Sequence, residues 1–386
     1  MSNHNLNSLN PMKFLEMPKK RIMAIEKASD QKPHIDKFAN VLANRLHPKI
    51  QHLIVDSIVD EYDAKRYILK ADPEAGTNEL AYFQSGQYIS VEVEIDGRVY
   101  NRPYSICSSP FESLAGIYEI LVKRVPNGVV SNYILDNFEV GTKMNVSAPD
   151  GNFTYEELRD QKHIVAVAGG SGITPFISFA RTLDDNDVDY NLTIFYGCKT
   201  EEEFLFKKEL DMYSYTHPKI DVVYVLSEEE KSPYEHGFIT AEIIKKYVKS
   251  ADYSIFICGP EMLHKHLDNE MKKLQIEAKN VRHEVFSSSN DENETKTFNV
   301  KIHQKGEVKN IKCLSNETLL HCFEVNRIKA ISKCRSGECG FCHSKLISGE
   351  VVIPEKQDRR RLADDIYGYI HPCCSYPASD IEIEIN

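Results

Sequence analysis

The sequence predicts a multidomain protein with three folded parts. These are a small antiparallel β-barrel, a parallel-sheet α/β domain and a C-terminal α+β domain wrapped around a cysteine loop. Three observations predict this. From about residue 50, short alternating runs are punctuated by Gly86, Gly97, Gly116, Gly128 and Gly141. From about residue 160, apolar strands alternate with helical stretches, the pattern of a parallel sheet. Near the end, Cys334, Cys339 and Cys342 precede Cys373, between the strand-like runs FNVKIHQ and DIEIEI. A chain of 386 residues has room for about two to four domains.

Residues 1–48 read as a partly helical extension. PHIDKFANVLANRLH places Ile35, Phe38, Val41, Leu42 and Leu46 at helical spacing across 33–47. Residues 1–50 hold nine Lys/Arg against four Asp/Glu, which suits a solvated helical face or a docking segment. The barrel is expected over 49–157, with strands at Leu53–Val59, Tyr67–Ala71 and Tyr88–Ile95. The α/β domain is expected over 158–286. HIVAVAGG reads as a buried strand running into the helix ITPFISFARTL. LTIFYGCK, DVVYVLS and YSIFICGP are further strands, separated by helices such as EFLFKKELDMY and AEIIKKYVK. SSSNDENETKT, 287–297, is polar and aperiodic and reads as a linker to a last domain over 298–386.

The net charge of −11 is uneven: about +5 in 1–50, +1 in 298–386 and −17 between. No concentrated basic face emerges, which argues against nucleic-acid binding. No apolar run approaches eighteen residues, so no membrane span is expected. The first residues lack the apolar core of a signal peptide, so the expected location is cytoplasmic. Disulfides are then not expected among the ten cysteines, and Cys313 and Cys322 read as core residues.

CRSGECGFC, returning at HPCCSYP, gives the spacing C-x4-C-x2-C plus a distant cysteine. That is the plant-type arrangement for a [2Fe–2S] cluster. Small residues Ser336, Gly337 and Gly340 let the loop wrap closely and aim amides at sulfur. Structural zinc prefers paired short spacings and fits poorly.

In NRPYSICSSP, Arg102-Pro103-Tyr104-Ser105 resembles the R-x-Y-S flavin signature of the ferredoxin–NADP reductase superfamily. The resemblance implies that Arg102 neutralises a pyrophosphate, that Tyr104 stacks on or bonds to the flavin, and that Ser105 donates near its N5. Phe83-Gln84-Ser85-Gly86-Gln87-Tyr88 resembles the segment that precedes this signature. LVKRVPNGVVSNYILDN resembles the second flavin segment, in which Val122 and Lys123 line the cofactor and Gly128, Val129, Val130 and Ser131 wrap its phosphates. This form is similar to FAD-binding rather than FMN-binding members. APDGNF, with Gly151 and Phe153, resembles the turn that closes the barrel.

AVAGGSGITPF resembles the superfamily's G-x-G-x-x-P nicotinamide motif, with Gly169, Gly170, Gly172, Thr174 and Pro175 at a strand-to-helix turn. Tyr196-Gly197-Cys198-Lys199 resembles its Y-G-x-R segment, with Lys in place of Arg. Cys258-Gly259-Pro260 resembles its C-G-P segment, which implies that Cys258 lies beside the nicotinamide. Cys258 and Ser105 are therefore the candidate catalytic residues. Ser227 is followed by Glu228, Glu229 and Glu230, which would repel a 2′-phosphate. NADH is expected, with Lys199 and Lys231 keeping NADPH open. His283-Glu284-Val285-Phe286 resembles the end of the reductase module, where Phe286 either covers the flavin or simply packs.

The tail CCSYPASD resembles plant-type ferredoxins and aligns Cys373 as the fourth ligand, with Cys374 beside it. A β-grasp fold is implied for this domain. The module order resembles hybrid reductases typified by the reductase component of phenylacetyl-CoA epoxidase. It implies electron flow from NADH through FAD to the cluster and on to a terminal oxygenase, a reductase or another acceptor protein. The alternatives are reduction of a small acceptor at the flavin, or a non-catalytic redox sensor.

Overall fold

A computed structural model of the chain describes residues 11–27, 38–185, 188–250, 252–285 and 295–385. Residues 1–45 form one unit, with helix α1 (Pro11–Glu26) and most of α2 (Phe38–Leu46). Helix α2 falls within the helix predicted over 33–47, of which 33–37 lie outside the described residues.

The second unit opens with six antiparallel strands: β1 (Gln51–Asp60), β2 (Ala64–Ala71), β3 (Tyr88–Ile95), β4 (Arg98–Ser105), β5 (Tyr118–Lys123) and β6 (Lys143–Val146). The order is β4-β3-β6-β1-β2-β5. Ile106 bridges Ile120, so the two edges meet and the sheet curls into the expected barrel. Helix α3 (Pro110–Leu114) precedes β5, and α4 (Val129–Asn137) follows it. Val130, Ile134 and Leu135 of α4 fill the barrel core against residues such as Tyr67 and Val122.

The next sheet is parallel, in the order β10-β9-β8-β7-β11-β12. Its elements are β7 (His163–Gly169), α5 (Thr174–Asp184), β8 (Asn191–Cys198), α6 (Lys207–Thr216), β9 (Ile220–Leu226), β10 (Glu235–His236), α7 (Ala241–Tyr247), β11 (Ser254–Cys258), α8 (Glu261–Leu274) and β12 (Val281–Glu284). The chain reverses direction across the sheet at β7, between β8 and β11. A crevice therefore opens at their carboxyl ends, where ligands bind in such sheets. Helix α6 starts later than the expected Glu203. Phe204, Leu205 and Phe206 are drawn into the core, and Phe206 takes φ 55°, which stops a helix there.

The last domain holds β13 (Thr297–Gln304), β14 (Glu307–Leu314), α9 (Leu319–Val325), β15 (Ser344–Ser348), β16 (Val351–Val352), α10 (Leu362–Ile366), β17 (Tyr369–Ile370), β18 (Tyr376–Pro377) and β19 (Ile381–Glu384). Its five-stranded sheet runs β14-β13-β19-β15-β17, with β13 and β19 parallel at the centre. Leu319, Cys322 and Phe323 of α9 pack in its core with Val300, Ile302 and Ile383, which is the β-grasp arrangement. One expectation is corrected here. Cys313 and Cys322 are core residues, but they are also joined as a disulfide, because the turn after β14 folds α9 back until their Cα atoms lie 5.7 Å apart.

A buried ion network clamps the barrel to the parallel-sheet domain. Arg181 of α5 donates to Glu119 of β5 at 2.9 Å, to Glu209 of α6 at 2.7 Å and to the Cys107 carbonyl at 3.1 Å. Arg66 of β2 meets the other Glu119 oxygen at 2.6 Å. Burial alone would raise the Glu119 carboxyl, but Arg181 and Arg66 outweigh it and hold the group below its usual 4.5. A carboxyl lowered on folding stabilises fully above about pH 4.5, and this contribution is lost as pH falls through the folded value. Arg181→Met is expected to cost roughly 3–5 kcal/mol in urea unfolding at neutral pH. It should also flatten the acid-side fall in stability; an unchanged midpoint and pH profile would contradict this role.

Candidate functional site

The expected flavin residues lie at the ends of two strands of the barrel. Arg102, Tyr104 and Ser105 end β4, and Val122 and Lys123 end the neighbouring β5. The Ser105 hydroxyl is buried and finds no hydrogen-bond partner among the described residues. A buried hydroxyl in that condition wants a polar ligand atom, which a flavin ring edge supplies. Burial pushes the Tyr104 phenol upward and keeps it protonated as a donor. Val122 lies in the barrel core, and Lys123 pairs with Asp63 at 3.4 Å. Helix α4 begins at Gly128, which offers no side-chain cap, so its first amides remain available to an anion. Val130 is buried in the core, whereas Val129 is about half exposed. These features fit a dinucleotide flavin. The Arg102 fork is engaged elsewhere: Nη1 and Nη2 both donate to Glu324, at 3.0–3.3 Å. A guanidinium has five N–H donors, so this pairing leaves capacity for a phosphate oxygen.

At the crevice of the parallel sheet, Gly169 ends β7, Gly170–Ile173 form one tight turn, and Thr174 opens α5. Gly172 is dictated by proximity. A Cβ there would sit 2.1 Å from the Cys258 carbonyl oxygen, so the loops after β7 and β11 touch backbone to backbone. The Thr174 hydroxyl donates to Ser171 O at 3.0 Å, and the Tyr196 hydroxyl donates to Gly170 O at 3.0 Å. Gly197, at the end of β8, packs under Ile239. Gly259 and Pro260 lead from β11 into α8, where they contact Gly169.

Cys258 is fully buried, and its thiol donates to Glu284 Oε2 at 3.8 Å. Burial pushes both groups upward, so the pair is neutral and can hold a proton inside the site. Glu284 had no expected role. Its signal was a carboxylate at the end of a strand, in the string HEVF. Phe286 lies outside the described residues. Beside Ser227, Lys199 pairs with Glu228 at 2.9 Å and Lys231 pairs with Glu201, so each lysine has a carboxylate at the exposed surface.

The cysteine loop turns through left-handed residues Arg335, Gly337 and Gly340, at φ 60°, 82° and 69°. The amides of Ser336 and Cys339 both point at Cys334 Sγ, each at 3.4 Å. Gly337 admits no side chain, since a Cβ would lie 2.6 Å from Gln357 O and 2.8 Å from Cys374 Sγ. Cys334 shares hydrogen bonds with Cys339 and Cys373, and Cys339 is pushed well up by that bond to Cys334 and by burial. Crowded thiols that resist ionising alone are a donor set suited to iron, which binds them as thiolates. Cys342, Cys373 and Cys374 share one buried cluster with Leu320. The Cys374 thiol donates to the His371 carbonyl at 3.4 Å, and its bond to Cys373 and burial push it upward.

Tyr88 pairs with Ser105 across β3 and β4, and Gly151 packs on its ring. Burial and then the nearby charges of Cys334, Cys339, Asp150 and Glu284 push its phenol upward.

Comparison with known proteins agrees with this layout. Residues 61–155 match the family described as oxidoreductase FAD-binding domain, 166–269 the oxidoreductase NAD-binding domain, and 302–378 the 2Fe-2S iron-sulfur cluster binding domain. The chain is 26% identical over 352 residues to the glycine betaine monooxygenase reductase subunit of Chromohalobacter salexigens, covering 86% of this chain and 94% of that one. It is 34% identical over 200 residues to NADH-cytochrome b5 reductase 1 of Dictyostelium discoideum, covering 51% of this chain and 68% of that one. Among solved structures, phthalate dioxygenase reductase shares the fold at a TM-score of 0.64 and 24% identity, over 87% of this chain and 98% of that one.

Proposed function

The chain belongs to the ferredoxin–NADP reductase superfamily, as a hybrid reductase with a C-terminal 2Fe-2S domain, and on that premise we propose how its residues divide the work of electron transfer. When bound, FAD takes a hydride from NADH as an electron pair, and the cluster relays electrons singly to a partner protein. Ser105 supplies the hydroxyl at the flavin edge. The turn at Gly170–Gly172 and the start of α5 hold the dinucleotide phosphates. Cys258 and Glu284 present a neutral, dry wall beside the nicotinamide. Cys334, Cys339, Cys342 and Cys373 hold the iron. The observation that carries this reading is that the cluster loop lies against the flavin strand, with Arg102 and Arg335 sharing Glu324 at 3.0 and 2.6 Å. Anaerobic titration with NADH tests it: the protein should take up more electrons than its flavin can store, with cluster absorption falling as well. Uptake that stops at the flavin would sink the reading.

NADH is the proposed donor. Glu228 and Glu201 already occupy the two lysines that could bind a 2′-phosphate. The expected preference for NADH over NADPH in kcat/KM is about tenfold or more, roughly 1.4 kcal/mol. Glu228→Ala should narrow it by freeing Lys199. Equal use of both donors by the unmodified protein would contradict this.

The proposed acceptor is the terminal oxygenase of a multicomponent system, by analogy with the glycine betaine monooxygenase reductase subunit. A cytoplasmic location is proposed as well. Eight of the ten cysteines stay outside the disulfide, and among the described residues no helix is long and apolar enough to cross a membrane.

A further inference from the structure

Glu324 lies in the last turn of α9, in the iron–sulfur domain, and is almost wholly buried. The negative end of a helix disfavours a carboxylate, so something beyond its own helix must hold this one there. Its partners come from two directions. Arg102, on the flavin strand β4, donates through Nη1 and Nη2 at 3.0–3.3 Å. Arg335, the residue after Cys334, donates at 2.6 Å. One carboxylate therefore ties the flavin strand directly to the cluster loop. Arg102 is weakened as a cation by burial and then by repulsion from Arg335, which Glu324 offsets. On the other side of Cys334, Lys333 pairs with Asp150 of the barrel at 3.0 Å, and its carbonyl accepts from the Ser90 hydroxyl at 3.3 Å. Cys334 is thus bracketed in the chain by Lys333, which meets the barrel directly, and Arg335, which meets it through Glu324.

We propose that Glu324 is a positioning residue that docks the cluster loop on the flavin strand and so sets the rate of electron transfer between the two cofactors. The inference rests on the reading that β4 lines the flavin and that Cys334 holds the cluster. A neutral residue at 324 would leave two partly buried guanidiniums facing each other without a counter-ion, and the loop would lose its register. Reduction of the flavin by NADH takes place at the Cys258 side and does not use this contact.

The test is Glu324→Gln in the full-length holoprotein. Flavin and cluster absorption should both be retained, and NADH should reduce the flavin at the unmodified rate. The later loss of cluster absorption should slow about tenfold or more. Hydrogen exchange, which needs no turnover, should rise in both 98–105 and 333–342. Asp150→Asn, across the same interface, should give the same signature more weakly, and it decides the matter if Glu324→Gln does not load its cofactors. Unchanged cluster reduction and unchanged exchange in the loaded variants would overturn the proposal. If the unmodified protein lacked either chromophore, the underlying reading would fall, and this inference with it.

Discussion

Replacing any one of Cys334, Cys339, Cys342 or Cys373 with serine is expected to abolish cluster absorption while leaving the flavin spectrum and NADH-driven dye reduction in place. On the proposed ligand set, losing one thiolate leaves an iron without its ligand in a pocket where the other thiols already crowd each other. Transfer to a protein acceptor should then fall by more than the roughly 10–100-fold typical of changes around a metal site. Cys374→Ser is the control. Cys374 lies beside Cys373 in the same buried cluster, and on the proposed ligand set the iron site should survive its loss. Visible spectra and iron content measure both outcomes. Loss of the cluster in Cys374→Ser with retention in Cys373→Ser would reverse the assignment.

Gly172→Val is expected to have a comparable effect at the other end of the electron path. The new Cβ would lie 2.1 Å from Cys258 O and 2.5 Å from its carbonyl carbon. Both are backbone atoms at the end of a central strand, so no side chain can rotate away. Either the turn at Gly170 or the end of β11 must shift, and both belong to the proposed nicotinamide site. A displacement of about 1 Å can cost on the order of 100-fold, so kcat/KM for NADH should fall by that order or more. Overpacking should cost roughly 1–3 kcal/mol in stability. Chemical reduction of the flavin by dithionite should be unaffected, because the β4 side is untouched. A variant that used NADH normally would show that the β7 and β11 loops do not form one site.

The cysteine loop and the glycine turn were legible because each is a local device. Spacing along CRSGECGFC already dictates which thiols share one loop, and AVAGGSGITPF already dictates a strand, a tight turn and a helix start. Strands were legible where apolar residues run together, as in β7 and β11. Contacts made by topology were not. Glu284 reaches Cys258 only because β12 pairs beside β11. Glu324 reaches Arg102 across a sequence separation of 222 residues, and nothing near either residue announces the other. The resemblance assigns the Arg102 fork to a pyrophosphate, and it gives no sign of the pairing with Glu324 of the iron–sulfur domain. The Cys313–Cys322 disulfide escaped notice because only the fold of the β14–α9 turn brings the two together. The start of α6 is not legible because core burial of Phe204 and Phe206 overrides helical spacing.

Electrons pass from NADH through a flavin to the chain's own cluster in the proposed function. Rapid mixing of the oxidised protein with NADH under anaerobic conditions, followed at flavin and cluster wavelengths, tests that claim most directly. The expected result is a fast loss of flavin absorption, then a loss of cluster absorption at a rate independent of protein concentration. A flavin that bleaches while the cluster stays oxidised, or a cluster step that speeds up with protein concentration, would contradict it.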